Sequence, residues 1–196
     1  MGHAAIYSLA TGTWTTLPDI SGMSINYGDN INDLGVAVGI AGSGSLDNFD
    51  YSCSVAWIWD PLTSAYSFFS VPGAASATCA NGINDLGQVA GGYLDASGVD
   101  HGFLKDGESY TTFDAPGTGN STGANQINNK GEIAGGYYDA SGYNHGYVRS
   151  PDGTFTIVDV PGTSGSAVQG INDRGDLCGY YLDASGVAHA YVALKR

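Results

Sequence analysis

Residues 154–160, TFTIVDV, alternate apolar and polar side chains and are rich in β-branched and aromatic residues, the pattern of a half-buried strand. The flanking stretches continue it. HGYVRS (145–150) precedes it across a Pro-Asp-Gly turn at 151–153, and Pro161–Gly162 ends it. A Ser/Gly/Thr loop then leads to SAVQGIN (166–172). Asn172-Asp173-Arg174-Gly175 reverses the chain, DLCGYYLD (176–183) returns, Asp183-Ala184-Ser185-Gly186 reverses it again, and HAYVAL (189–194) follows. Asp and Ser side chains bond turn backbone, and Gly supplies the left-handed turn position. No window of a dozen residues shows a 3.6-residue apolar period with caps, so no helix is expected. The pattern predicts short strands joined by tight turns.

The pattern repeats. GYLDASGVDHGF (92–103) returns as GYYDASGYNHGY and again as YYLDASGVAHAY, 44 residues apart each time. The turn INDxG marks the same beat: Ile83, Ile127 and Ile171 are spaced by 44, whereas Ile31 to Ile83 is 52. The first repeat is therefore eight residues longer, and the surplus lies in SGSLDNFDYSCS (43–54). Periods of this size belong to propellers, solenoids and similar arrays. Four strands per repeat and four repeats predict one all-β repeat domain over 1–196. The expected shape is a β-propeller of about four four-stranded blades. A β-solenoid or β-prism-like array and a five-bladed closure are the rivals. The repeats divide at approximately 10–59, 60–106, 107–150 and 151–196, with 3–9 an extra strand. AAIYSL (4–9) and HAYVAL (189–194) occupy the same slot of the repeat, so the surplus strand is expected to close the ring, to mark a cut from a longer array, or to be offered to a second molecule, giving a monomer or a strand-mediated oligomer. The glycine pairs Gly91–Gly92 and Gly135–Gly136 fall inside strands, which implies close approach of another backbone.

Composition narrows the function classes. Six basic residues against 19 acidic ones leave a formal charge of −13, unsuited to nucleic acid or to anionic membrane surfaces. Thirteen tyrosines in an acidic, lysine-poor chain suit neutral polar ligands such as sugars, or divalent cations. No apolar run approaches a membrane span. Cys53, Cys79 and Cys178 form no CxxC motif; Cys53 and Cys79 are a possible pair in an oxidising compartment, with Cys178 left over as a buried side chain. GHAAIY (2–7) reads like the middle of the repeat phrase, so the chain reads as part of a longer precursor.

The recurrent polar residues admit two readings. His3, His101, His145 and His189 share one slot. A symmetric ring of imidazoles would bind a metal on the repeat axis if their nitrogens converged. The simpler reading is that each His ties neighbouring strands. Asp95, Asp139 and Asp183 of the DASG turns are weak calcium candidates, because one Asp and one Ser per turn supply too few oxygens unless repeats share an ion. No other cofactor is implied. Asn32, Asn84, Asn128 and Asn172 read as turn and interstrand residues. No GxSxG elbow, phosphate loop or distinctive carboxylate pair stands out. Aromatics break the symmetry more clearly. Trp57 and Trp59 share one face of their strand, near Tyr51 and Tyr66; exposed, they would make a platform for sugar rings, and buried, they would be core. Tyr138 and Tyr180 join them as candidate ligand-binding residues.

The succession IN-x-x-G-x-(I/V/L)-x-G, a turn, H-(G/A)-(F/Y)-(L/V), and a hairpin ending near Pro-Gly resembles the HAF-type extracellular repeat of bacterial proteins. The resemblance covers nearly the whole chain; SVAWIW (54–59) departs from it, with Val55 in the histidine slot. It implies a secreted or surface-attached protein with propeller-like repeats, and it implies no reaction. The expected function is an extracellular binding or scaffold module recognising glycans or a partner protein. The alternatives are a small propeller hydrolase or lyase acting on extracellular polysaccharide, and a self-assembling surface subunit.

Overall fold

A computed structural model describes residues 4–42, 55–75 and 77–196, with the side chain of residue 120 excepted. Those residues form seventeen strands and no helix. A two-stranded hairpin comes first: β1 (Ala5–Ser8) with β2 (Thr13–Thr16). Four antiparallel meanders follow in chain order. The first sheet is β3 (Ile25–Ile31), β4 (Ala37–Gly42), β5 (Val55–Asp60) and β6 (Ala65–Phe69). The second is β7 (Ala77–Ile83), β8 (Val89–Leu94), β9 (Asp100–Asp106) and β10 (Ser109–Phe113). The third is β11 (Thr118–Ile127), β12 (Ile133–Asp139), β13 (Asn144–Arg149) and β14 (Phe155–Val158). The fourth has three strands, β15 (Gly165–Ile171), β16 (Leu177–Leu182) and β17 (Ala188–Ala193). One parallel pairing, Ser121 with Asp100, links the second and third sheets. Each sheet opens with the strand that leads into the INDxG-type turn, so sheet boundaries fall one strand later than the divisions drawn from the sequence.

Successive sheets pack face to face, and the core lies between them. Val38 and Ala56 of the first sheet meet Ala80, Ile83, Val89 and Phe103 of the second. Ala90 of the second meets Ile127, Ile133 and Tyr147 of the third. Ala134 of the third meets Val168 and Ile171 of the fourth. Fully burying one such large apolar side chain contributes roughly 1.5–3 kcal/mol.

Local geometry recurs with the sequence. The first strand of every sheet carries a one-residue bulge, between Gly28 and Asn30, Ala80 and Gly82, Ala124 and Gln126, and Val168 and Gly170. Opposite each bulge the second strand places a glycine: Gly39, Gly91, Gly135 and Gly179. A methyl group at Gly135 would lie 2.1 Å from the Gly123 carbonyl oxygen and 2.6 Å from the Tyr147 hydroxyl. The close approach inferred from the glycine pairs holds at their first members, Gly91 and Gly135, and its cause is the bulged neighbour plus an aromatic ring laid over the glycine; a methyl group at Gly92 would meet nothing closer than 3.7 Å. Tyr147 and Tyr191 also donate from their hydroxyls to Gly123 and Ala167 carbonyls, at 3.0 and 3.2 Å.

Candidate functional site

The bulges decide where polar side chains point. A bulge adds a residue that the neighbouring strand does not pair, bends the strand and re-aims the side chain. The four extra residues are Asp29, Asn81, Asn125 and Gln169, which occupy equivalent positions of the repeat. All four line one open cavity of about 610 Å³, together with Tyr27, Asn30, Ile40, Cys79 and Gln126. The Asn81 amide donates to the Ala124 carbonyl at 2.7 Å, and the Asn125 amide to the Val168 carbonyl at 2.8 Å, so each ties its own sheet to the next. Asn30 donates to the Gln126 side-chain oxygen at 2.9 Å, joining the first sheet to the third. Gln169 makes no side-chain hydrogen bond among the described residues.

Asp29 breaks the series of amides. Its carboxyl keeps contact with solvent, yet it stands inside a cleft walled by all four sheets. That crowding strips water from the charged form and pushes its pKa up to about 7. At pH 7 that carboxyl is about half ionised, and the rest of the wall offers amide donors and acceptors beside the Tyr27 ring.

Below this layer the four INDxG-type turns line a second depression of about 220 Å³. Here the recurrent asparagines are architectural. The Asn128 side-chain oxygen accepts from the Lys130 and Glu132 amides at 3.0 and 2.9 Å, while its NH₂ donates to the Asn172 carbonyl at 3.0 Å. Asn32 and Asn84 donate in the same way to the Asn84 and Asn128 carbonyls. A parallel set runs from the Asp33, Asp85 and Asn129 amides to the side chains of Asp85, Asn129 and Asp173, at 2.7–2.8 Å. Each of the first three turns donates to the turn that follows it, and the Asn129 side-chain amide also donates back to Asp85 at 2.7 Å.

The histidines are strand ties within their own sheets. His145 Nδ1 lies 2.8 Å from Asp159, its Nε2 lies 3.4 Å from Asp139, and its ring stacks on Tyr137. His101 repeats this with Asp114, Asp95 and Tyr93, and His189 with Asp183 and Tyr181. Desolvation pulls the His101 and His145 pKa values down, but the hydrogen bonds and charges of their paired carboxylates outweigh it, and both end above the usual value. Where the first sheet carries Val55 in the histidine slot, it carries Ser70 in the slot of Asp114 and Asp159, so the partners are lost together. His3 lies outside the described residues.

The same ties account for the DASG carboxylates. Asp139 Oδ1 accepts from the Ser141 and Tyr143 amides at 2.8 and 2.9 Å, and Asp95 and Asp183 do likewise in their turns. Bonds from the Ser141 hydroxyl and the Tyr143 amide, with His145 adding to them, hold Asp139 down to about 2. Calcium would have to displace these partners. Among the described residues no cluster of three His, Cys, Asp or Glu side chains is placed to hold a metal ion.

The aromatic platform requires correction. Trp57 and Trp59 are buried, packed with Leu17, Ala37 and Ala41 between the N-terminal hairpin and the first sheet. The physical reason is the repeat itself: Trp57 stands where Phe103, Tyr147 and Tyr191 stand, as the ring that covers the bulge-facing glycine. Aligning those four positions would have revealed this from sequence. Tyr66 packs edge-on against both indoles and accepts from Asn26 at 3.0 Å. Tyr138 is exposed, and the Tyr180 hydroxyl accepts from Asn144 at 3.1 Å. Among the described residues no ring contact or hydrogen bond joins Tyr66 to Tyr138 or Tyr180, whereas Tyr138 lies near enough to Tyr180 to add to the rise that burial gives its pKa. Tyr51 lies outside the described residues.

Cys79 is disulfide-bonded. Its expected partner, Cys53, lies outside the described residues, and Cys178 is free and exposed rather than buried. The bulge residues were missed in the sequence reading, although their polar character at fixed spacing was visible. No protein-family model matches the chain, and no curated protein matches it, so the HAF-type resemblance rests on the repeat residues themselves.

Proposed function

We propose that this chain is an extracytoplasmic binding module of propeller type, related to the HAF-type bacterial repeats, whose central cleft holds a neutral polyhydroxylated ligand such as a glycan. The observation that carries the reading is the convergence of four re-aimed bulge residues, Asp29, Asn81, Asn125 and Gln169, on one cavity of about 610 Å³. Side-chain amides beside an aromatic ring match the alternating hydroxyls and apolar faces of a sugar. Among the described residues of that wall Asp29 is the one carboxylate, whereas glycoside hydrolysis commonly uses two. The four-stranded meanders, the cavity walled by all four sheets and the shared depression of the turns favour a propeller-like curvature, as an open array whose described residues do not pack the last sheet on the first, over a straight solenoid. The disulfide at Cys79 favours an oxidising compartment and hence a secreted or surface location.

A glycan array followed by titration calorimetry tests the proposal. Binding that is weakened at least about tenfold by Gln169→Ala, with the fold intact, is the expected result. Absence of any glycan binding, or binding indifferent to both Gln169→Ala and Asp29→Asn, would overturn it. Release of reducing ends or unsaturated products from the bound glycans would replace it with the hydrolase or lyase reading.

A further inference from the structure

Each sheet presents one apolar face to the first strand of the sheet that follows. Val38 and Ala56, Ala90, and Ala134 are buried in those three junctions. The fourth sheet has the same face, and none of the described residues covers it. Cys178 is exposed, Val192 is 71% exposed and Leu194 is 61% exposed. Leu194 is apolar where Asp60, Asp106 and Ser150 are polar, so the open face is more apolar than its covered equivalents.

The other end of the array shows the complementary half. Ile83, Ile127 and Ile171 are buried, each against the preceding sheet, while Ile31 of β3 is 54% exposed. The turn ladder is open in matching senses. Turns donate forwards, so among the described residues the Asp173 amide finds no acceptor of this kind and the Asp33 carboxylate no donor. The chain thus carries both halves of a junction that it makes three times internally.

We propose that these halves meet between copies: β3 of a second copy docks on the β16–β17 face of the first, and the Asp173 amide bonds the second copy's Asp33. The occupant is a second copy because the docking strand and the docking face are already paired within this chain at every internal junction. The contact is head-to-tail, so it builds a series of oligomers rather than a closed dimer. One strand must yield. β1 and β17 fill the same slot of the repeat, and the incoming β1 would fall where β17 stands. β1 has four residues against six in β17, and each pairs with one strand only. β1 therefore lifts away, and β2 supplies a fourth strand beside the three described in the last sheet.

Sedimentation velocity of the Cys178→Ser chain, which excludes disulfide-linked dimers, tests this in high salt that screens the net charge of −13. The mean mass should rise with concentration. Val192→Asp with Leu194→Asp removes one end, and Ile31→Asp removes the other; each should be monomeric with an unchanged melting temperature, since the positions are exposed. Mixed together, the two variants should form a one-to-one dimer and stop there. A chain starting at Leu9 should associate at least about tenfold more tightly, because β1 no longer competes. A parent chain that stays monomeric at high concentration, or a mixture that yields no dimer, would overturn the proposal.

Discussion

The side-chain amide of Asn125 crosses from the third sheet to donate to the carbonyl of Val168 in the fourth at 2.8 Å. One extra residue in a strand thereby both faces a cavity and fastens two sheets. The same double duty falls to Asn81, which donates to the Ala124 carbonyl. Asp29 occupies the equivalent place in the first sheet and, when ionised, has no proton to give.

Replacing Asp29 should therefore matter through pH. A carboxyl whose folded value is raised from 3.8 to about 7 destabilises the fold wherever it is forced to ionise. Its folded state binds more protons than the unfolded state between those values, so its contribution worsens as pH rises through that window. Asp29→Asn should raise the melting temperature at pH 8 and have little effect near pH 4. Thermal melts at the two pH values check this, and an equal shift at both would contradict it.

The histidine ties predict a further decline as pH rises, and their carboxylates an opposite limb. His101 and His145 have raised folded values, so their stabilisation is complete below the unfolded value of 6.5 and is lost as pH climbs through the folded values. Asp95 and Asp139 are depressed, so theirs is present above 3.8 and lost as pH falls, for Asp139 down to about 2. Stability should peak between about pH 4 and 6.5. His145→Gln should flatten the decline on the alkaline side, in melts recorded from about pH 6 upward.

Turn asparagines should rank by their bonds. Asn128 is buried and serves the Lys130, Glu132 and Asn172 backbones. Asn128→Ala leaves several of these groups unsatisfied and should cost about 2–3 kcal/mol in urea unfolding. Asn172→Ala, at the open end of the ladder, lacks the forward bond and should cost about 1 kcal/mol.

Two glycine substitutions separate crowding from backbone strain. Gly135→Ala forces a methyl group against the Gly123 carbonyl and should cost about 3 kcal/mol or abolish folding. Gly142 sits at φ +81° with open space beside it, and Gly142→Ala should cost about 1 kcal/mol. Expression yield and urea midpoints distinguish the two.

Much of the architecture was legible because it is local chemistry. Asn-Asp-x-Gly and Asp-Ala-Ser-Gly make their turns with neighbours two and four residues away, and alternating residues such as TFTIVDV mark strands without reference to partners. A fixed period then carried the repeat. The indoles were harder. Alternation put Trp57 and Trp59 on one face of β5, but both faces of a stacked sheet are covered, so period alone could not tell platform from core.

By itself the chain's order of residues determined an all-β array, its turns, its beat and its histidine slot, since each follows from contacts within a few residues or from simple recurrence. Only the tertiary structure decided that Asp29, Asn81, Asn125 and Gln169 turn toward a common cavity, and that the last sheet leaves Val192 and Leu194 uncovered. Bulges and sheet faces arise from register and stacking between distant strands, and a one-residue slip redirects every side chain beyond it.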